Sequence, residues 1–126
     1  MTAASAFAHV LVVDDNTDAT EVLALLIETE QCTAATARTV AEARQAWRAQ
    51  RPDLVLLDVQ LPDGSGLDWL AELQAGGALS DTRVVVLSGA LDTATRTRAL
   101  ALGAAETRLK PLGLDELQQV LGSVRR

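Results

Sequence analysis

Cysteine is nearly missing from these 126 residues: Cys32 stands alone. No internal disulfide can form, so the fold must rest on packing. Aromatics are almost as scarce, with Phe7, Trp47, Trp69 and no tyrosine, which argues against a base-stacking surface or a ring-lined ligand cavity. Positive charge is short as well. Lysine and arginine number 11 against 17 acidic residues, a net charge of -6, so the basic excess of a nucleic-acid binder is absent. No direct contact with nucleic acid is expected, and any DNA contact would come through a partner. Nor does any apolar run approach the roughly 18 residues of a membrane helix, so no membrane partner is expected. The N-terminal "MTAASAFA" lacks the basic and apolar segments of a signal peptide, and the chain reads as cytoplasmic. The single histidine, His9, reads as a strand-start residue, because no second His or Cys is near enough to pair with it on a metal.

What is present points to one α/β domain over residues 1–126, with residues 1–8 expected as a flexible N-terminal segment. Residues 10–14, 54–58 and 84–88 are apolar until each run ends on a polar residue, the pattern of strands covered on both faces. Between them lie stripes at helical spacing: Ala19, Val22, Leu23 and Leu26, then Val40, Ala43 and Trp47, then Leu67, Leu70, Ala71 and Gln74. A last helix is marked by Leu114, Leu117, Val120, Leu121 and Val124, with Asp115 and Glu116 in its first turn. Residues 32–37 and 105–110 are weaker strands, and the charges of Glu106 and Arg108 predict a sheet margin. Strand and helix therefore alternate five times, which predicts a parallel sheet with right-handed crossovers and helices on both faces.

In such sheets ligands bind beyond the carboxyl ends of the strands. The residues there are Asp14 and Asp15, Asp58, Ser88 and Lys110. Carboxylates this close repel one another, at roughly 4 kcal/mol for a pair about 4 Å apart at an effective dielectric of about 20. A cation must sit among them. Lys110 supplies one charge, and a hard divalent ion such as Mg²⁺ would supply two. A phosphoryl group could then be accepted at little electrostatic cost, with Asp58 as nucleophile and Asp14 and Asp15 as metal ligands. Asp18 sits where the first turn of a helix should be and reads as a dipole-favoured surface acid.

At these residues the chain resembles a known family. "VLVVDDN", "LVLLDVQLPDGSGL", "VVVLSGA" and "LKP", in that order, are similar to the response-regulator receiver domain of two-component signalling. The resemblance implies a flavodoxin-like five-stranded parallel sheet, order 2-1-3-4-5. It implies Asp58 as phosphoacceptor, charged by the phosphohistidine of a histidine kinase or a histidine phosphotransfer protein, and a downstream protein partner reading the result. It places Mg²⁺ on Asp14, Asp15, Asp58 and the backbone carbonyl of Gln60. Ser88 would be the switch hydroxyl and Lys110 the phosphoryl ion pair, with a cis bond to Pro111 aiming the lysine inward. Such a protein catalyses only its own phosphorylation and dephosphorylation.

The chain departs from the family at several points. Thr107 stands where an aromatic is usual, Gly89 where alanine is usual, and Gln60 and Ala90 hold positions that tune hydrolysis of the acyl phosphate. The segment 91–102 carries Thr93, Thr95 and Thr97, whose branching lowers helix propensity slightly and hints at a mobile element. A rival reading, an Mg²⁺-dependent phosphatase of the haloacid-dehalogenase kind, needs a second Asp where Gln60 stands and a substrate cap for which there is no length. A receiver-shaped scaffold that is never phosphorylated is a third reading, against which the full acidic set argues.

Overall fold

The computed structural model describes residues 8–90 and 92–124. Of the expected N-terminal segment, residues 1–7 lie outside the described residues. Ala8 is 3% exposed and its carbonyl accepts the Thr33 N–H at 3.0 Å, so residue 8 belongs to the packed chain.

Strands β1 (His9–Val13), β2 (Thr33–Ala37), β3 (Leu54–Asp58), β6 (Arg83–Ser88) and β7 (Glu106–Leu109) pair in parallel in the order β2-β1-β3-β6-β7. Counted over these five, this is the predicted 2-1-3-4-5. A two-residue hairpin, β4 (Gln60–Leu61) against β5 (Gly64–Ser65), follows β3. The three central strands are the apolar runs of the sequence, and the two weaker segments are the edges.

Alternation along each central strand separates two cores. Leu11, Val13, Val55, Leu57, Val84 and Val86 face helices α2 (Val40–Ala49), α3 (Gly66–Ala75) and α4 (Thr93–Ala101). Val10, Val12, Leu54, Leu56, Val85 and Leu87 face α1 (Thr17–Thr29) and α5 (Leu114–Gly122). Trp47 and Trp69 join α2 to α3 edge to face, 6.0 Å between ring centroids, and Cys32 is a buried free thiol. All three pack in the cores on either side of the sheet.

Two helical stripes differ from expectation. On α1 the buried face is Thr20, Leu23 and Ile27, while Val22 is 55% exposed. Thr20 tolerates burial because its hydroxyl donates to the Thr17 carbonyl at 2.9 Å, so a polar residue holds a place that apolarity alone would have given to Val22. On α3 the buried residues are Gly66, Leu67, Trp69, Leu70 and Leu73, and Gln74 is exposed, donating instead to the Ala101 carbonyl. Helix α4 buries Ala99 alone, consistent with its threonine-rich sequence. Among the described residues no helix is long and apolar enough to cross a membrane.

Candidate functional site

Parallel register assembles the site. Val13 is opposite Leu57 and Asp58 is opposite Leu87, so the residues that follow the ends of β1, β3 and β6 stand side by side. The Asp14 N–H extends the β1–β2 ladder to the Ala37 carbonyl at 3.0 Å, and the Lys110 N–H extends β6–β7 to the Ser88 carbonyl at 2.8 Å. Backbone bonding therefore sets the roots of these side chains before any of them interact. Carboxylate oxygens of Asp14, Asp15 and Asp58 lie within 4.8 Å of one another. The Lys110 ammonium lies 2.7 Å from Asp14 Oδ2 and 3.1 Å from Asp58 Oδ2. Asp14 and Asp58 are almost enclosed, with side-chain exposures of 5% and 12%, whereas Asp15 is open to solvent.

Three carboxylates facing one ammonium leave a local excess of negative charge. Burial pushes the Asp58 carboxyl above its ordinary value of 3.8, the hydrogen bond and charge of Lys110 pull it back, and the Asp14 charge adds to the rise. Burial works to lower the Lys110 ammonium, but its bonds to both aspartates outweigh this and hold it above the ordinary lysine value. A divalent cation would remove the imbalance. Oxygen ligands at about 2.1 Å from Mg²⁺ are at most about 4.2 Å apart in an octahedron. The three carboxylates would draw together to share one ion.

Because Asp58 is held above its ordinary value, the folded state binds more proton here than the unfolded chain. Its contribution to stability is lost as pH rises from 3.8 through that raised value. Asp58→Asn is therefore expected to stabilise the metal-free fold at pH 7, raising its urea midpoint. The gain should vanish toward pH 3.8, a trend that urea midpoints measured across pH will check.

The remaining predicted residues surround this cluster. Asp15, Asp58, Gln60, Ser88, Gly89 and Lys110 line a cleft of about 540 Å³. Gln60 presents its backbone N–H to the Asp58 carboxylate. The Ser88 hydroxyl donates to the Ala90 carbonyl at 3.0 Å and accepts the Ala90 N–H at 3.3 Å, so it is engaged with its own loop. A Cβ placed on Gly89 would meet nothing within 4 Å, so the position has room to spare. The Lys110-Pro111 bond is cis, as the resemblance implies. Asp18 is exposed in the first turn of α1, where Asn16 caps the helix by accepting the Ala19 N–H.

Thr107, in the place of the family's aromatic, has a hydroxyl that is buried without a hydrogen-bond partner. An unsatisfied buried hydroxyl costs about 1–3 kcal/mol. Thr107→Val keeps the branched shape and removes the oxygen, and is expected to stabilise the fold by about 1 kcal/mol in urea unfolding.

Three contributors escaped the sequence reading. Asp92 and Thr95 line the same cleft from the start of α4, where Asp92 caps the helix by accepting the Thr95 N–H at 2.6 Å. An Asp before a helical stretch is a legible cap signal, but nothing in it says which cleft the cap borders. Gly66 is the third. It opens α3, and a Cβ there would lie 2.1 Å from the Asp58 carbonyl oxygen.

Fold and site together define a doubly wound α/β domain with a carboxylate–lysine cluster at the carboxyl edge of its sheet. The chain belongs to the response regulator receiver domain family, whose model matches residues 10–122. It is 38% identical to the transcriptional regulatory protein KdpE of Mycobacterium tuberculosis over 118 residues, 93% of this chain and 51% of that one. It is 34% identical to the response regulator protein PilR of Pseudomonas aeruginosa over 116 residues, 92% of this chain and 26% of that one. The chain thus spans about half, or less, of the length of these relatives. Among solved structures it is similar to a response regulator from Burkholderia pseudomallei crystallised with a phosphorylated aspartic acid, calcium ion and citrate. That match has 27% identity and a TM-score of 0.81, covering 94% of this chain and 66% of that one. Receiver domains of response regulators generally bind Mg²⁺ and interact with kinases.

Proposed function

We propose that this chain is the phosphoacceptor receiver of a phosphorelay, a single receiver domain acting in the cytoplasm. Asp58 takes a phosphoryl group from the phosphohistidine of a histidine kinase or histidine phosphotransfer protein. An Asp58 carboxylate oxygen forms the new bond to phosphorus, the bond from phosphorus to the imidazole nitrogen breaks, and the imidazole recovers a proton. The observation that carries this reading is the Lys110 ammonium bonded to both Asp14 and Asp58, beside a third carboxylate.

Asp14, Asp15, Asp58 and the Gln60 carbonyl would hold Mg²⁺, which when bound offsets charge on the transferring phosphoryl oxygens. Lys110 holds the nucleophile in place and faces the same oxygens. Ser88 donates its hydroxyl to the phosphoryl group by giving up its bond to the Ala90 carbonyl, which moves the loop ahead of α4. With only Ala99 buried, α4 offers little resistance. Full switching of such an equilibrium, from 1:99 to 99:1, takes about 5.5 kcal/mol of differential stabilisation, within reach of charge-assisted hydrogen bonds plus a metal. A downstream protein reads the altered surface, and the chain performs no catalysis beyond its own phosphorylation and dephosphorylation.

The relatives' names include transcriptional regulators; in this reading the net charge of -6 favours a protein over nucleic acid as the contact made by these residues. The Burkholderia structure, with its phosphorylated aspartic acid, supports the modification proposed here. The phosphatase reading finds no support, since Gln60 offers no carboxyl as general acid.

The test is intact mass after incubation with Mg²⁺ and a small acyl phosphate. One phosphoryl adduct is expected, absent in Asp58→Asn and absent with excess chelator. An adduct that survives in Asp58→Asn would overturn the assignment.

A further inference from the structure

The hairpin that carries Gln60 is too short to hold itself in place. Its stem is two residue pairs, Gln60 with Ser65 and Leu61 with Gly64, and isolated two-stranded ribbons are marginal even when longer. One end is tied to the sheet, where the Gly66 N–H donates to the Val59 carbonyl at 2.7 Å, and Leu61 is buried in the core. At the tip, Asp63 reaches across to a helix 23 residues earlier in the chain. Its Oδ1 accepts the Val40 N–H at 2.8 Å and its Oδ2 accepts the Ala41 N–H at 3.1 Å. Helix α2 does not depend on Asp63 for an ordinary cap, because Thr39 already accepts the Glu42 N–H at 3.0 Å. The extra bonds instead tie the hairpin down.

They also link the segment that follows Asp58 to the end of β1 at Asp14. From Asp58 the chain runs through Gln60 to Asp63, across to Val40, back through Thr39 to Ala37, and across to Asp14 through the Asp14 N–H bond to the Ala37 carbonyl. Only three peptide units and a two-pair ladder separate the hairpin tip at Asp63 from Gln60, so a shift of the tip is felt there.

We infer that Asp63 is a positioning residue for the metal, anchoring the Gln60 hairpin to the N-terminus of α2 so that the Gln60 carbonyl stands ready for Mg²⁺. This rests on the reading of Asp14, Asp15, Asp58 and Gln60 as the Mg²⁺ ligands. Residues that orient metal ligands commonly change affinity tenfold or more when removed. Coupling is reciprocal, so Mg²⁺ must in turn tighten the two bonds that Asp63 accepts.

The experiment titrates Mg²⁺ into the metal-free protein without phosphodonor, following the amide resonances of Gln60, Val40 and Ala41 and their hydrogen exchange. Asp63→Ala is expected to weaken Mg²⁺ about tenfold. In wild type, Mg²⁺ should slow exchange at Val40 and Ala41. Thr39→Ala removes a bond at the same helix end without touching the hairpin, and it should lower the thermal midpoint while leaving the Mg²⁺ affinity within twofold. Equal affinity in Asp63→Ala and wild type, or equal weakening in Thr39→Ala, would show a helix cap and nothing more, and would overturn the inference. A wild-type chain that shifts none of these amides with Mg²⁺ would overturn the metal reading itself, and this inference with it.

Discussion

Gly66→Ala is expected to destabilise the fold by about 3 kcal/mol, the upper range for overpacking, and to abolish phosphoryl uptake. The added methyl carbon would lie 2.1 Å from the Asp58 carbonyl oxygen, 3.2 Å from its carbonyl carbon and 3.2 Å from Leu57 Cδ1. No real carbon approaches an oxygen so closely, and the obstacle is backbone, which cannot swing aside as a side chain would. Either α3 must back away, opening the core around Leu67 and Leu70, or the end of β3 must move and carry Asp58 out of reach of Lys110. Both outcomes strike the site. The control is Gly89→Ala, which meets nothing within 4 Å and should change stability by no more than about 0.5 kcal/mol. Urea unfolding of the two variants and the intact-mass assay check this together. A Gly66→Ala protein with wild-type stability and full modification would refute the close approach.

Lys110→Met is expected to produce the second large effect. The variant keeps an unbranched chain of similar length and loses only the charge. Asp14 and Asp58, with side-chain exposures of 5% and 12%, then face each other with no counterion. Removing one member of a buried pair costs about 3–5 kcal/mol, and because Lys110 is itself 28% exposed the expected loss at pH 7 is discounted to about 2 kcal/mol. Two conditions should reverse it. Acid protonates a carboxyl and removes the repulsion, so the deficit shrinks as pH falls through the raised Asp58 value. Mg²⁺ supplies the missing charge, so it should raise the variant's thermal midpoint by more than it raises that of wild type. The phosphoryl adduct should nevertheless be lost, because nothing replaces the ammonium beside the nucleophile. At the alkaline end, the lysine's pairing is present below its ordinary value of 10.5 and lost as pH rises through its raised value. Wild type should accordingly lose its advantage over Lys110→Met there.

Most of the architecture was legible because it is local. A strand buried on both faces has to be apolar along its buried stretch, and residues 10–13 of β1, 54–57 of β3 and 84–87 of β6 are. A polar residue that interrupts such a run has to lie at its end, which is why Asp14, Asp58 and Ser88 could be assigned to one edge of the sheet from spacing alone. The helical stripes were read less well. Apolarity selected Val22 on α1 where the structure buries Thr20, since a threonine that bonds its own helix behaves as an apolar residue and periodicity does not register this.

The sequence by itself determined the alternation of strands and helices, the strand order through its family resemblance, and the identity of the acids and the lysine at the carboxyl edge. These follow from patterns a few residues long and from chemistry that each side chain carries wherever it goes. Only the tertiary structure decided that Lys110 bridges Asp14 and Asp58, that the Thr107 hydroxyl is left without a partner, that Gly66 bears on the Asp58 backbone, and that Asp63 ties its hairpin to α2. Contacts of this kind join residues far apart in the chain, or depend on which helix closes over them. They are fixed by how the helices pack on the sheet, and no local pattern in the chain encodes that distance.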